Sequence, residues 1–244
     1  MRWAGRELVA LAGAPPALPL AADSWLVDEG YERAAGAHCA RFGTSCRQLG
    51  VERDELAAFR AATAAALPRE GRWFPRVELT DEGLALRLRR APPPAREARV
   101  LVGPPGDPRR CPRRKGPDLA LLTGLREQAR AGGADELLLC DERGRLLEGA
   151  LSSLLWWEDD ALCTTPDETA LPGVTRGLLL QIARAQGVEV RRGAPLPGEL
   201  AGRETWLTSA LHGIRVVTAW VAPRQAAGAA PRAPDWREML DRDG

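Results

Sequence analysis

The stretch from Leu147 to Arg176, LEGALSSLLWWEDDALCTTPDETALPGVTR, constrains the fold more tightly than any other part of the chain. A glutamate, Glu148, leaves a strand, a hydrophobic hairpin follows, and a Leu-Pro-Gly-Val-Thr-Arg turn then opens a helix. Pro172 and Gly173 set the entry of that turn, and the first N–H groups of a helix have no partner within it. From Gly173 onward, Leu178, Leu179, Ile182 and Ala183 recur at helical spacing, and Gly187 stands where the helix should stop. The amides of Val174 and Thr175, the Thr175 hydroxyl and the helix dipole together suit an anion such as phosphate. Taken alone, the pattern describes an ordinary capped amphipathic helix more often than a phosphate site.

A second feature lies upstream. The chain has 33 arginines and one lysine, Lys115. Arginine replaces lysine at most solvated positions, but it cannot serve where a neutral amine must attack a carbonyl, because guanidinium keeps its proton in proteins. Lys115 is therefore a candidate nucleophile. Composition by itself equally allows a leftover surface lysine.

Bulk properties narrow the function by exclusion. With 244 residues and 45% hydrophobic content the chain can bury a sizeable core in one large domain or two small ones. A formal net charge of +1 provides no electrostatic reason to expect nucleic acid or an anionic membrane as partner. Five cysteines without paired spacing point to a reducing, cytoplasmic setting, and two histidines do not build the usual zinc sites. The Ala/Leu-rich opening is interrupted by Arg6, Glu7, Pro15, Pro16 and Pro19, so it reads as mature protein with a first strand over Leu8–Leu11.

Read in order, the chain then predicts a strand beginning near Ser24, a Glu29-Gly30 turn, a helix over about residues 37–49, and a second helix ended by Pro68. RWFPRVELT and GLALRLRR predict meander strands, with Arg87 and Arg89 on a wet face opposite the leucines. A further strand is expected at Arg99–Val102, followed by a Pro/Gly/Arg-rich boundary at residues 103–114. Lys115 then opens the second lobe. A helix with Leu119, Leu122, Leu125 and Ala129 facing inward precedes hairpins at residues 134–149 and 154–166. The limits are residues 1–108 for an N-terminal lobe, 115–222 for a C-terminal lobe, and 223–244 for an Ala/Pro/Arg-rich tail expected to be partly disordered apart from a helical turn or two.

Lys115, Glu148 and LPGVTR, in that order and spacing, resemble the class IV aminotransferase family, the fold-type IV enzymes that use pyridoxal 5′-phosphate (PLP). The resemblance covers roughly residues 23–221. It implies an α/β (α+β) two-lobed fold, with a small N-terminal α/β lobe and a larger C-terminal lobe built on a hairpin-rich sheet. It implies that Lys115 forms the Schiff base with PLP and that Glu148 faces the pyridine nitrogen. By the same resemblance Leu171 packs on the ring, while Val174, Thr175, Ser209 and Ala210 bind the phosphate. His38-Cys39-Ala40-Arg41 matches a family element whose arginine binds that phosphate, which assigns the role to Arg41, with His38 as a structural hydrogen-bonding residue.

Two substrate-side positions follow from the same comparison. Ser24 falls where aminodeoxychorismate lyases carry a catalytic threonine, and Ser153 stands where the family usually has asparagine. The chain's single tyrosine, Tyr31, does not match the tyrosines that some transaminases place around the site. The implied activity is amino transfer between an amino acid and a 2-oxo acid. The alternatives are 4-amino-4-deoxychorismate lyase, releasing 4-aminobenzoate and pyruvate, and a non-catalytic relative that kept the fold. The resemblance also implies a homodimer acting on small molecules.

Overall fold

Alternation of apolar and charged residues in the first third of the chain builds a meander, because side chains of a strand point to opposite faces in turn. The computed structural model describes residues 1–10 and 18–243. Contacts divide the chain into two units, Met1–Pro93 with Arg114–Leu119, and Pro94–Arg113 with Ala120–Gly244.

In the first unit the elements are β1 (Arg2–Trp3), β2 (Leu8–Val9), β3 (Ala21–Ser24), β4 (Val27–Asp28), β5 (Tyr31–Glu32), α1 (Ala35–Gln48), α2 (Arg53–Ala66), β6 (Arg72–Trp73), β7 (Arg76–Thr80) and β8 (Gly83–Arg87). Five strands form an antiparallel sheet in the order β2-β1-β8-β7-β3, and β5-β4-β6 form a small separate one. The expected first strand is thus the short β2; Leu11, Pro15 and Pro16 lie outside the described residues. Trp25, Phe42, Phe59, Val77, Leu84 and Leu86 make the core between sheet and helices.

The face of β7 and β8 expected to be wet is not simply so. Glu78 is 1% exposed and pairs with Arg76 of its own strand and Arg87 of the neighbouring one, each at 2.5 Å, so a buried carboxylate recruits both arginines.

The second unit holds β9 (Glu97–Val102), α3 (Leu119–Ala131), β10 (Glu136–Cys140), β11 (Leu146–Gly149), β12 (Ser153–Glu158), β13 (Ala161–Thr164), α4 (Val174–Ala185), β14 (Val190–Arg192), β15 (Thr205–Ser209), β16 (Gly213–Ala222) and α5 (Ala233–Asp243). The eight strands make one mixed sheet in the order β11-β10-β9-β16-β15-β12-β13-β14. Period-two alternation gives it two apolar faces. Leu154 and Trp156 of β12 join Cys163 and Leu207 on one side, while Leu155 and Trp157 join Leu162 and Trp206 on the other, beneath α4 and α5. α3 lays Leu122, Leu125 and Ala129 against Leu137, Leu139 and Leu147 as its spacing requires.

Two boundaries differ from expectation. Lys115 does not open the second unit, because the Ala22 N–H donates to its carbonyl at 2.7 Å and ties residues 114–119 to β3. The tail is helical for eleven residues in α5, where Ala233, Trp236 and Leu240 are buried. Three apolar positions at i, i+3 and i+7 suffice to hold it against the sheet.

Candidate active site

The sequence-selected residues fall into two groups, one in each unit. Ser24, Arg41 and Lys115 belong to the first. Ser24 ends β3, and its buried hydroxyl accepts a hydrogen bond from Arg89 Nη2 at 3.1 Å. Burial holds the Arg89 guanidinium down to about 10, with the neighbouring Arg76 charge adding to the effect. Beside Ser24, the fully buried Asp23 organises the group. Its carboxylate accepts Arg41 Nε at 2.8 Å and Nη2 at 2.7 Å, His38 Nδ1 at 2.8 Å, and the Ser24 amide at 2.8 Å. Burial alone would raise the Asp23 pKa, but the Arg41 charge and the hydrogen bonds from His38 and Arg41 outweigh it and hold the carboxyl well below its usual range. His38 is pushed down by burial, against the pull of Asp23, with the Arg41 and Lys115 charges adding to the lowering.

Lys115 is half-buried in the turn before α3. The next residue, Gly116, has φ +140°, and a Cβ there would sit 2.7 Å from Ala21 Cα. Only glycine permits so close an approach of the turn to β3.

In the second unit the LPGVTR turn is where the sequence puts it. α4 starts at Val174 with Gly173 as N-cap in extended conformation, and no side chain caps it. A Cβ on Gly173 would lie 2.5 Å from Ser153 Oγ, so Ser153 packs directly on the turn. Ser153 is also the register partner of Thr208 across β12 and β15. The Thr208 hydroxyl is buried without a hydrogen-bond partner, a condition that buried polar groups rarely keep unless something else binds there. Ser209 follows it and its Oγ accepts the His212 amide at 3.4 Å; Ala210 lies in the turn after β15.

Glu148, 5% exposed, is tied to the same turn because its Oε1 accepts the Leu171 amide at 2.9 Å. The same oxygen takes Arg109 Nη1, while among the described residues Oε2 has no hydrogen bond. Burial pushes the Glu148 carboxyl up from its usual value, against the opposing Arg109 charge, Leu171 N–H and Arg176 charge. Arg109 is itself raised: burial would lower it, but its hydrogen bonds to Asp107 and the charge of Glu148 prevail.

Several contributors escaped the sequence reading. Asp23, Asp107, Arg109, Arg176 and Thr208 were not singled out, and neither was Glu136. The fully buried Glu136 receives Arg215 Nη2 at 2.8 Å and Ser152 Oγ at 3.2 Å, and so holds the loop joining Glu148 to Ser153. The available signal was a carboxylate inside an apolar strand, since such a group needs a buried partner.

The chain matches the amino-transferase class IV family over residues 21–220. It belongs to this family of enzymes. Over 73 residues it is 38% identical to the branched-chain-amino-acid aminotransferases of Escherichia coli and Salmonella typhimurium, a segment that is 30% of this chain and 23% of theirs. It therefore spans less than a quarter of the length of those curated relatives. Among solved structures, a hypothetical aminotransferase from Mycobacterium tuberculosis with alpha-ketoglutarate and PMP bound superposes with a TM-score of 0.81 at 20% identity, covering 97% of this chain and 95% of that one. The fold IV-transaminase of Curtobacterium pusillum gives 0.79 at 20% identity, over 96% and 90% of the two chains. A Legionella pneumophila protein provisionally described as a 4-amino-4-deoxychorismate lyase gives 0.77 at 19% identity, over 92% and 91%. At these identities the likeness establishes the fold, which is the expected mixed α/β fold of type IV. Among the described residues no helix is long and apolar enough to cross a membrane.

Proposed function

We propose that the chain is a PLP-dependent aminotransferase that moves an amino group between an amino acid and a 2-oxo acid, with Lys115 as the residue that carries the cofactor. The observation that supports this most is the linkage around the α4 N-terminus, where Glu148, the Leu171 amide, Gly173, Ser153 and Thr208 are joined in one connected group.

The residues fit the group. An uncapped helix start beside an orphaned Thr208 hydroxyl suits a phosphate, with Val174, Thr175, Ser209 and Ala210 as further donors. The Oε2 atom of Glu148 is available to a pyridine N–H, and a carboxylate there would keep that nitrogen protonated. PLP, when bound, supplies an electron-withdrawing ring that makes the amino acid's Cα proton acidic. Arg41, oriented by Asp23, contributes positive charge for the phosphate, and Leu171 supplies an apolar wall. The Lys115 amine carries the proton to and from Cα, a role open to an amine and closed to a guanidinium. Ser153 supplies a shorter hydrogen-bonding arm than an asparagine would.

Borohydride reduction of the protein incubated with PLP, followed by peptide mass mapping, tests the assignment. The cofactor should be found on Lys115, and Lys115→Arg should fold but bind no cofactor covalently. An adduct on any other residue sinks the reading. Donors screened against pyruvate and 2-oxoglutarate then identify the substrates. The buried Ser24 hydroxyl favours a second reading as 4-amino-4-deoxychorismate lyase, distinguished by 4-aminobenzoate formed without any 2-oxo acid acceptor.

A further inference from the structure

Helix α1 has small residues at Gly36, Ala40 and Gly43, spaced i, i+4 and i+7, and this opens a cleft of about 230 Å³ against α2. A Cβ on Gly36 would touch nothing within 4 Å. The floor of the cleft is aromatic: Trp25, Phe42 and Phe59 line it, with the Phe42 and Phe59 rings 6.4 Å apart and tilted by 44°. Its mouth is cationic. Arg47, Arg53 and Arg60 line it and are exposed, no acidic residue lines it, and none of the three arginines is ion-paired among the described residues. Inside, Thr63 is 3% exposed and its hydroxyl has no hydrogen-bond partner.

We propose that this cleft binds a small aromatic carboxylate. Each part of such a ligand meets a complementary surface. The ring enters an aromatic floor, where offset and edge contacts are favourable. The carboxylate stays at the mouth, where guanidinium forks pair with it. Apolar cavities of about 150 Å³ hold a benzene ring, so the observed volume accommodates a ring with a short carboxylate arm. A hydroxyl on the far side of the ring answers the orphaned Thr63, since an unpaired buried polar group is costly until something bonds it. The site lies within the first unit and uses none of the residues assigned to the cofactor.

Titration calorimetry on the full chain, with 3-phenylpropionate, 3-(4-hydroxyphenyl)propionate and their amides, tests the proposal. Both acids should bind saturably, and each amide should bind about tenfold more weakly, the equivalent of one charge-assisted hydrogen bond. The double variant Arg53→Gln/Arg60→Gln should erase the preference for acid over amide. Ala57→Trp, which fills the cleft from an exposed position, should abolish binding. Thr63→Val should keep 3-phenylpropionate binding and remove only the advantage of the ring hydroxyl. Absence of saturable binding overturns the proposal, as does binding that survives both Ala57→Trp and the double arginine variant, which would put the ligand elsewhere. If light scattering shows instead that Ala57→Trp changes the association state and no acid binds, the cleft is a subunit contact and the proposal falls.

Discussion

Asp23 and Arg41 meet through two parallel hydrogen bonds, Nε to Oδ2 at 2.8 Å and Nη2 to Oδ1 at 2.7 Å, with the carboxylate fully buried. A fork held this way cannot swing, so the carboxylate decides where the guanidinium points. Asp23→Asn breaks a buried pair and should cost ~3–5 kcal/mol in urea unfolding. The Asp23 pKa is depressed in the folded protein, so its contribution is present above the unfolded value of ~3.9 and lost only as pH falls toward the folded one. The difference between wild type and variant should stay constant from pH 8 to about 5 and shrink only in stronger acid.

The Arg109–Glu148 pair has the opposite sign. Both side chains are almost wholly buried, and burial already raises the Glu148 carboxyl. Arg109→Gln should destabilise by ~3 kcal/mol or more at neutral pH, because it strands a buried carboxylate. A carboxyl raised in the folded state adds stability that is fully present below ~4.3 and lost as pH rises through its folded value. The melting temperature of the variant should therefore lie nearest that of wild type in acid, toward the unfolded value of ~4.3, and fall further behind as pH rises. A deficit independent of pH would contradict this.

Gly173 and Ser153 leave no room for a methyl group between them. Gly173→Ala should displace the start of α4 and, on the proposed function, weaken PLP binding about tenfold or more by absorbance titration, which corresponds to ~1.4 kcal/mol. Adding Ser153→Ala removes the obstructing oxygen and should restore part of the loss. Additive losses would show that the two residues do not share the site.

The three-tryptophan cluster fastens α5. Trp236 packs edge-on to Trp157 at 5.2 Å and lies 5.6 Å from Trp206. Trp236→Ala should cost ~3–5 kcal/mol, measured as a lower urea midpoint. A loss under ~1 kcal/mol would mean that the helix is not a structural part of the second unit.

A homodimer is our proposal for the assembly in solution. Light scattering should return twice the 26.4 kDa mass of one chain, and a monomer across the working concentration range would refute it.

The sequence by itself determined what short-range rules govern. Alternation in LLWWEDDALC built β12 and β13 with their two apolar faces, and Pro-Gly before an apolar helical run started α4 at Val174. Glu148 and Ser153 could be tied to the LPGVTR turn from the sequence because all three lie within one compact stretch, and the structure does bring both against that turn. Lys115 stands out in the sequence as the one lysine beside 33 arginines, and its role as the cofactor-bearing amine is our proposal.

Only the tertiary structure decided which charges pair. One arginine among 33 looks like any other in a string of letters, yet Arg41 finds Asp23 eighteen residues away and Arg109 finds Glu148 thirty-nine away. Burial makes those choices, because an unpaired ion is tolerable in water and costly inside, and burial is a property of packed elements rather than of any local window. The same reason moved Lys115 to the first unit, since a backbone bond to Ala22 across more than ninety residues leaves no periodic trace.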